Sequence, residues 1–195
     1  MIKGKSPKKV AITPTINFYP LPIVLITCTD IDYKLNIITI SSLGIANEDP
    51  PLITIALHKE RHSNKIVKKT MEFVVNIPNE SLLEHVDFFG MVSGERIDKF
   101  EASSLTPTMG DHVIAPLIEE CPCNLECRVK SVLSLYSHNL FIAEILAMHI
   151  DIQVLKNNSS KKIKMDALKP LIRMFDEYWS IKKKIAPIGF TLRKT

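Results

Sequence analysis

The sequence contains no apolar run near the ~18 residues a membrane-spanning helix requires, so no helical membrane anchor is expected. Val10-Ala11-Ile12 is too short for the apolar core of a signal peptide, and the expected location is the cytoplasm. Internal repeats and long low-complexity segments are also missing, so the chain reads as one unit rather than an array. Aromatic residues are few, at 7%, and Tyr33, Tyr136, Tyr178 and Trp179 are scattered rather than interleaved with basic residues. That is not the stacking surface of a nucleic-acid binder. The net charge of +4 is mild and sits largely in Lys3, Lys5, Lys8, Lys9 and in Lys161, Lys162, Lys164, blocks that read as solvated ends or loops. Nucleic-acid and membrane partners are therefore not expected. No Ser-His-Asp or Cys-His constellation is evident, so no protein nucleophile is assigned.

Four cysteines are present. Cys28 stands alone, and Cys121, Cys123 and Cys127 form a C-x-C-x3-C cluster. Three thiols lack a fourth ligand nearby in sequence, although His112 or His138 would complete a zinc set in space. The alternative is that Cys123 and Cys127 are small apolar residues of a strand. No metal is expected.

At 195 residues and 46% hydrophobic content, the chain can bury the core of one domain. A basic extension is expected over 1–18 and a single domain with a C-terminal tail over 19–195. Ile23–Thr29 and Leu35–Ser42 are β-branched and apolar around the polar connector Asp30–Lys34, which predicts a hairpin. Leu52–Leu57 reads as a third strand, started by Asp49-Pro50-Pro51, since prolines cannot donate within a ladder. Ser63 can cap a short helix to Lys69, Phe73–Asn76 gives a fourth strand, and a helix runs from Asn79 or Ser81 through Phe89, closed by Gly90 and Gly94. Residues 93–116 read as loop with one helical turn near Asp98-Lys99-Phe100. Leu125, Cys127 and Val129 alternate with Glu126, Arg128 and Lys130, a strand with one wet face. Leu140–Ile150 is almost continuously apolar, which suits a strand covered on both sides, by the barrel and by a partner subunit. Strands outnumber helices. The expected fold is mainly β: an antiparallel barrel of six or more strands with short peripheral helices.

Two polar clusters flank one strand of this scheme. Thr39, Ile40, Ser41 and Ser42 precede Leu52–Leu57, while Lys59, Arg61, Ser63 and Asn64 follow it at a helix start. Hydroxyls, cations and helix N-terminal amides are the donors a phosphate requires. Together the two clusters point to a phosphate-bearing ligand, and flavin mononucleotide (FMN) is the best candidate. Each residue also has an ordinary structural use, as a strand hydroxyl, a solvated charge or a helix cap.

The order Pro20–Thr27, Asn36–Ser41, Asp49-Pro50-Pro51, Glu72–Asn76, Val92-Ser93-Gly94, Asp98-Lys99-Phe100, Ala115–Ile118, Cys121-Pro122, Leu125–Cys127, Ser137–Glu144 and Glu177–Ser180 resembles the flavin reductase-like family, within it the flavoredoxin type. The resemblance implies an FMN-binding split β-barrel, a homodimer, and electron exchange with NAD(P)H or a redox protein. It implies that Thr39, Ile40, Ser41 and Ser42 lie near the ring and ribityl chain. Arg61, Ser63, Lys59 and Asn64 would hold the phosphate, with Ser93 and Lys99 closing over the cofactor. It departs at Ala143, where many relatives carry glycine in a motif tied to nicotinamide binding, and at Ser42 or Leu43, where many carry an aromatic. A non-catalytic module holding FMN, another flavin or haem is the alternative reading.

Overall fold

A computed structural model describes residues 9–16, 19–156 and 163–193. Of the expected basic extension, residues 1–8 and 17–18 lie outside the described residues, as do Lys161 and Lys162; residues 9–16 are exposed throughout. The elements run β1 (Leu21–Pro22), β2 (Val24–Thr29), β3 (Leu35–Ile40), β4 (Leu43–Asn47), β5 (Leu52–His58), α1 (His62–Thr70), β6 (Glu72–Ile77), α2 (Leu83–Met91), α3 (Lys99–Ser103), β7 (Pro107–Thr108), β8 (Leu117–Ile118), β9 (Cys123–Ser134), β10 (His138–Ile150), α4 (Met165–Leu168), β11 (Leu171–Met174) and β12 (Glu177–Ser180).

Seven strands form one antiparallel sheet in the order β3-β2-β6-β9-β10-β5-β4. Its two edges, β3 and β4, are successive in the chain and separated only by Ser41 and Ser42. The sheet must therefore curl until its edges converge at those serines. The two edges are not paired to each other, so the fold is a barrel split along one seam. Ser42 extends the β4–β5 register by one position: its Oγ donates to the Ala56 carbonyl (2.7 Å) and accepts from the Ala56 amide (3.2 Å).

Alternation fills the interior. Ile26, Cys28, Ile38, Phe73, Val75, Cys127, Phe141 and Ala143 point inward into one buried cluster. β2 is buried on both faces because Leu25, with Ile23, packs outward beneath Val86, Phe89 and Phe100 of α2 and α3. This is why the sequence from Ile23 to Thr29 lacks a polar period.

Four sequence expectations change in the structure. Ser63 does not cap α1: the helix begins at His62 with Arg61 at the cap position, and Ser63 lies inside the first turn. Leu43–Asn47, between the expected strands Leu35–Ser42 and Leu52–Leu57, is itself a strand; its last three residues, Ile45 among them, are exposed. Gly90 lies within the last turn of α2 instead of ending it. Glu126, placed on a wet face, is fully buried. The loop ahead of β8 crosses that face, and the amides of Asp111 (3.0 Å), His112 (2.7 Å) and Val113 (2.9 Å) donate to the Glu126 carboxylate. His149 Nε2 lies 2.6 Å from it. Gly110 allows this approach, since a Cβ there would sit 2.5 Å from the carboxylate. Burial alone would raise the Glu126 pKa, but the three amides and His149 outweigh it and hold the group down to about 2.

Among the described residues no helix is long and apolar enough to cross a membrane. On β10 only the inner face is buried; Leu140 and Ile142, on the outer face, remain half-exposed.

Candidate functional site

A groove opens where the barrel is split. It has two lobes, of about 350 and 520 Å³, which share Thr39, Ile40, Ser41, Arg61 and Arg173. Both volumes are of the scale of small-molecule sites. Towards the start of β3 it narrows into a recess between Asn36, Arg61, Ser63, Ser93, Gly94 and Lys99. β3 thus runs the length of the site, with Asn36 at the narrow end and Thr39–Ser41 at the broad end.

The recess is built by three segments. Arg61 is the N-cap of α1 in an extended conformation; it makes no side-chain cap, and the first turn holds no acidic residue. The carboxylate beside that turn is Glu95 from the loop after α2, which pairs with Lys65 (2.7 Å) and lies 3.5 Å from His62, leaving Arg61 and Ser63 to face the recess. Ser63, buried in the first turn, accepts from Asn36 Nδ2 at 2.6 Å. Asn36 Oδ1 is buried and has no partner. The Ser93-Gly94 loop passes so close that a Cβ at Gly94 would lie 1.9 Å from that oxygen, which only glycine permits. Asp98 caps α3 by accepting from the amides of Phe100 (3.0 Å) and Glu101 (3.1 Å), fixing the helix that carries Lys99.

Lys99 is 2% exposed. Its ammonium donates to the carbonyls of Ile37 (2.7 Å) and Phe89 (3.0 Å), and among the described residues it has no carboxylate within ion-pair distance. Burial, and then the nearby Arg61 guanidinium, bring its pKa down to about 8. A buried cation and a second cation beside it, with no countercharge, form a seat for an anion. The donors present, an ammonium, a guanidinium, two serine hydroxyls and a helix N-terminus, match a phosphate monoester. This donor chemistry is compatible with the phosphate of FMN.

The other expected residues divide. Thr39 donates to the Val86 carbonyl (2.6 Å) and lines the broad end together with Ile40 and Ser41; Ser42 lines the larger lobe. Asn64 faces away from the recess. Its amide donates to the Leu57 carbonyl (2.8 Å) and its oxygen accepts from Asn139 (2.9 Å), which ties α1 to β5 and β10. Lys59 donates to the Leu135 carbonyl and sits with Asn64, Lys65 and Lys68 outside the groove.

Arg173 and Tyr178 are additions from the structure. Both come from the β11–β12 hairpin, which pairs with the short β1, and Tyr178 donates to Asp87 on α2 at 2.9 Å. The hairpin closes one side of the smaller lobe. The Glu177–Ser180 motif was the only signal for it. Trp179, on the opposite face of β12, donates to Glu177 (3.1 Å) and is not part of the groove wall. His138, in the larger lobe, stacks edge-on against His58 with ring centroids 5.1 Å apart. Burial, then the His58 charge, lowers its pKa. Ala143 is fully buried in the barrel core, so its methyl does not reach the groove. Burial pushes the thiols of Cys123 and Cys127 up to about 11 and about 12, which makes them core residues and not nucleophiles.

A flavin reductase like domain matches residues 16–180. The chain belongs to the flavin reductase-like family. Among solved structures, flavoredoxin of Desulfovibrio vulgaris (Miyazaki F) is 28% identical with a TM-score of 0.85, covering 93% of this chain and 97% of that one. Flavoredoxin from Methanosarcina acetivorans is 27% identical with a TM-score of 0.86, covering 95% and 97%. Within the flavin reductase-like family this chain is of the flavoredoxin type. An uncharacterized protein of Archaeoglobus fulgidus is 36% identical over 58% of this chain, and the match spans 64% of that protein's length. The family and the flavoredoxin neighbours support a flavin-related function, and the split barrel is their shared architecture.

Proposed function

We propose that this protein binds FMN in the groove and passes electrons through it between a donor, NAD(P)H or a reduced redox protein, and an acceptor. The observation that carries this reading is Lys99, a buried ammonium with two carbonyl acceptors and no carboxylate, next to Arg61 and Ser63. In this reading Lys99, Arg61, Ser63 and Ser93 hold the phosphate, and Thr39, Ile40, Ser41 and Ser42 wall the ring end. When bound, the flavin supplies hydride and single-electron chemistry, so no protein nucleophile is needed. The chain's own part is to bind, to orient and to exclude water. Arg61 puts positive charge along the groove, which favours negative charge developing there. The Tyr178–Asp87 bond holds the hairpin over the smaller lobe.

Homodimer formation belongs to the same proposal. Part of the outer face of β9, β10, β5 and β4 is apolar, with Leu133 and Leu140 paired in register and Ile142, Thr54 and Gly44 in the next row, bordered by the Lys130–Glu144 ion pair. Sedimentation of the purified protein tests it: a concentration-independent monomer would end it.

The direct test of the function is the visible spectrum of purified protein after incubation with FMN, then anaerobic bleaching by NADH, NADPH and reduced ferredoxin in separate cuvettes. Flavin absorption with rapid bleaching by one donor is expected. Protein that stays colourless in excess FMN rules out the reading, and a coloured protein that no donor reduces leaves a non-catalytic binding module.

A further inference from the structure

The broad end of the groove holds a guanidinium that the phosphate seat does not account for. Arg173 lines both lobes but is absent from the recess formed by Ser63, Ser93 and Lys99. It stands on β11 opposite Leu21 on one side and Tyr178 on the other. Its Nε donates to the Phe175 carbonyl (2.8 Å) and its Nη2 to Asp176 (2.9 Å), so the turn after β11 holds the guanidinium in place.

Charge is unevenly divided between the lobes. The smaller one has Asp87, Asp176 and Glu177 on its wall. Arg61 and Arg173 face both lobes, Arg173 paired with the exposed Asp176; the larger lobe adds His58 and His138 and has no carboxylate among its described lining residues, over apolar walls that include Leu21, Ile38 and Leu57. Positive charge above low-dielectric walls concentrates anions, and a fixed guanidinium reads carboxylates and phosphates through paired N–H donors.

We propose that Arg173 selects the second reactant of the flavin reaction, and that this reactant is anionic: a flat apolar body carrying a carboxylate or phosphate, seated in the larger lobe. The inference rests on the flavin reading above. Arg173 supplies the charge recognition, and the apolar wall supplies the surface for the body.

The test uses the full chain loaded with FMN and two matched probes, benzoate and neutral benzamide, each titrated while the flavin absorption band is followed. Benzoate is expected to bind more tightly than benzamide. Arg173→Gln should weaken benzoate by at least about tenfold and leave benzamide within about twofold, while Arg173→Lys retains part of the preference. FMN affinity should fall by less than about threefold in both variants, because the phosphate seat lies elsewhere. If Arg173→Gln fails to fold, the parent protein decides, since benzoate binding must weaken as sodium chloride rises while benzamide binding does not. Equal binding of the two probes, or a preference unchanged in Arg173→Gln, overturns the proposal. So does a variant in which only the flavin midpoint potential moves. A chain that takes up no FMN ends the flavin reading itself; uptake without discrimination between the probes ends the role of Arg173 alone.

Discussion

The ammonium of Lys99 lies 2.7 Å from the carbonyl oxygen of Ile37, on the strand that runs the length of the groove. Lys99 is thereby held beneath the recess without any acidic partner, and its charge is sensitive to what occupies the site. Because its pKa is depressed to about 8, raising the pH above that value neutralises it in the free protein. A bound phosphate favours the charged form, so binding above pH 8 requires proton uptake. FMN affinity should therefore be flat below about pH 7.5 and fall by up to about tenfold per pH unit above pH 8. Lys99→Met should remove that slope. Equilibrium fluorescence titrations from pH 6.5 to 9.5 measure it.

Ser63 and Asn64 are neighbours with opposite expected phenotypes. Ser63 faces the recess, so Ser63→Ala, like Arg61→Ala, should weaken FMN by about 1–3 kcal/mol through a lost charge-assisted bond. Asn64 bonds Leu57 and Asn139 within the fold. Asn64→Ala should cost about 1–3 kcal/mol of folding stability by orphaning buried groups, with FMN affinity reduced less than in Ser63→Ala. Urea unfolding and FMN titration of both variants separate the two roles.

Glu126 should dominate the acid limb of stability. Its folded pKa, about 2, is below the model carboxylate value of 4.5. The stabilisation it gives is thus fully present above pH 4.5 and lost as the pH falls towards 2. Glu126→Gln should lower stability at pH 7 by about 3 kcal/mol and flatten the stability profile below pH 4.5. Denaturant melts at pH 3, 5 and 7 test this, and an unchanged profile would refute the anchoring role.

Tyr178 joins the hairpin to α2. Tyr178→Phe removes one partly exposed hydrogen bond, so a stability loss below about 1 kcal/mol is expected. Hydrogen exchange should speed up in 171–180 more than in the barrel strands. Uniform exchange across both would mean the bond does not hold the hairpin.

Much of this architecture was legible in the sequence because its signals are local. β2, β3, β5 and β6 announce themselves by β-branched runs, and Asp49-Pro50-Pro51 can only lead into β5. β4 is exposed over its last three residues, and the pairing of β11 with β1 joins residues about 150 apart, so neither left a local signal. The site divides in the same way. Arg61, Ser63, Ser93 and Lys99 were found from residue type and motif order. Lys59 and Asn64 share that chemistry, but Asn64 bonds Leu57 and Asn139 within the fold, and Lys59, in the turn before α1, reaches the Leu135 carbonyl instead of the recess.

The sequence alone determined a mainly β chain with phosphate-compatible donors on both sides of one strand, since strand alternation, proline placement and helix capping act over a few residues. Only the tertiary structure decided which donors meet. Curling the sheet until β3 and β4 converge opens the groove, and α3 slides Lys99 under β3. The loop before β8 buries Glu126, and the C-terminal hairpin delivers Arg173. Each of these depends on the packing of distant segments, which residue spacing along the chain does not encode.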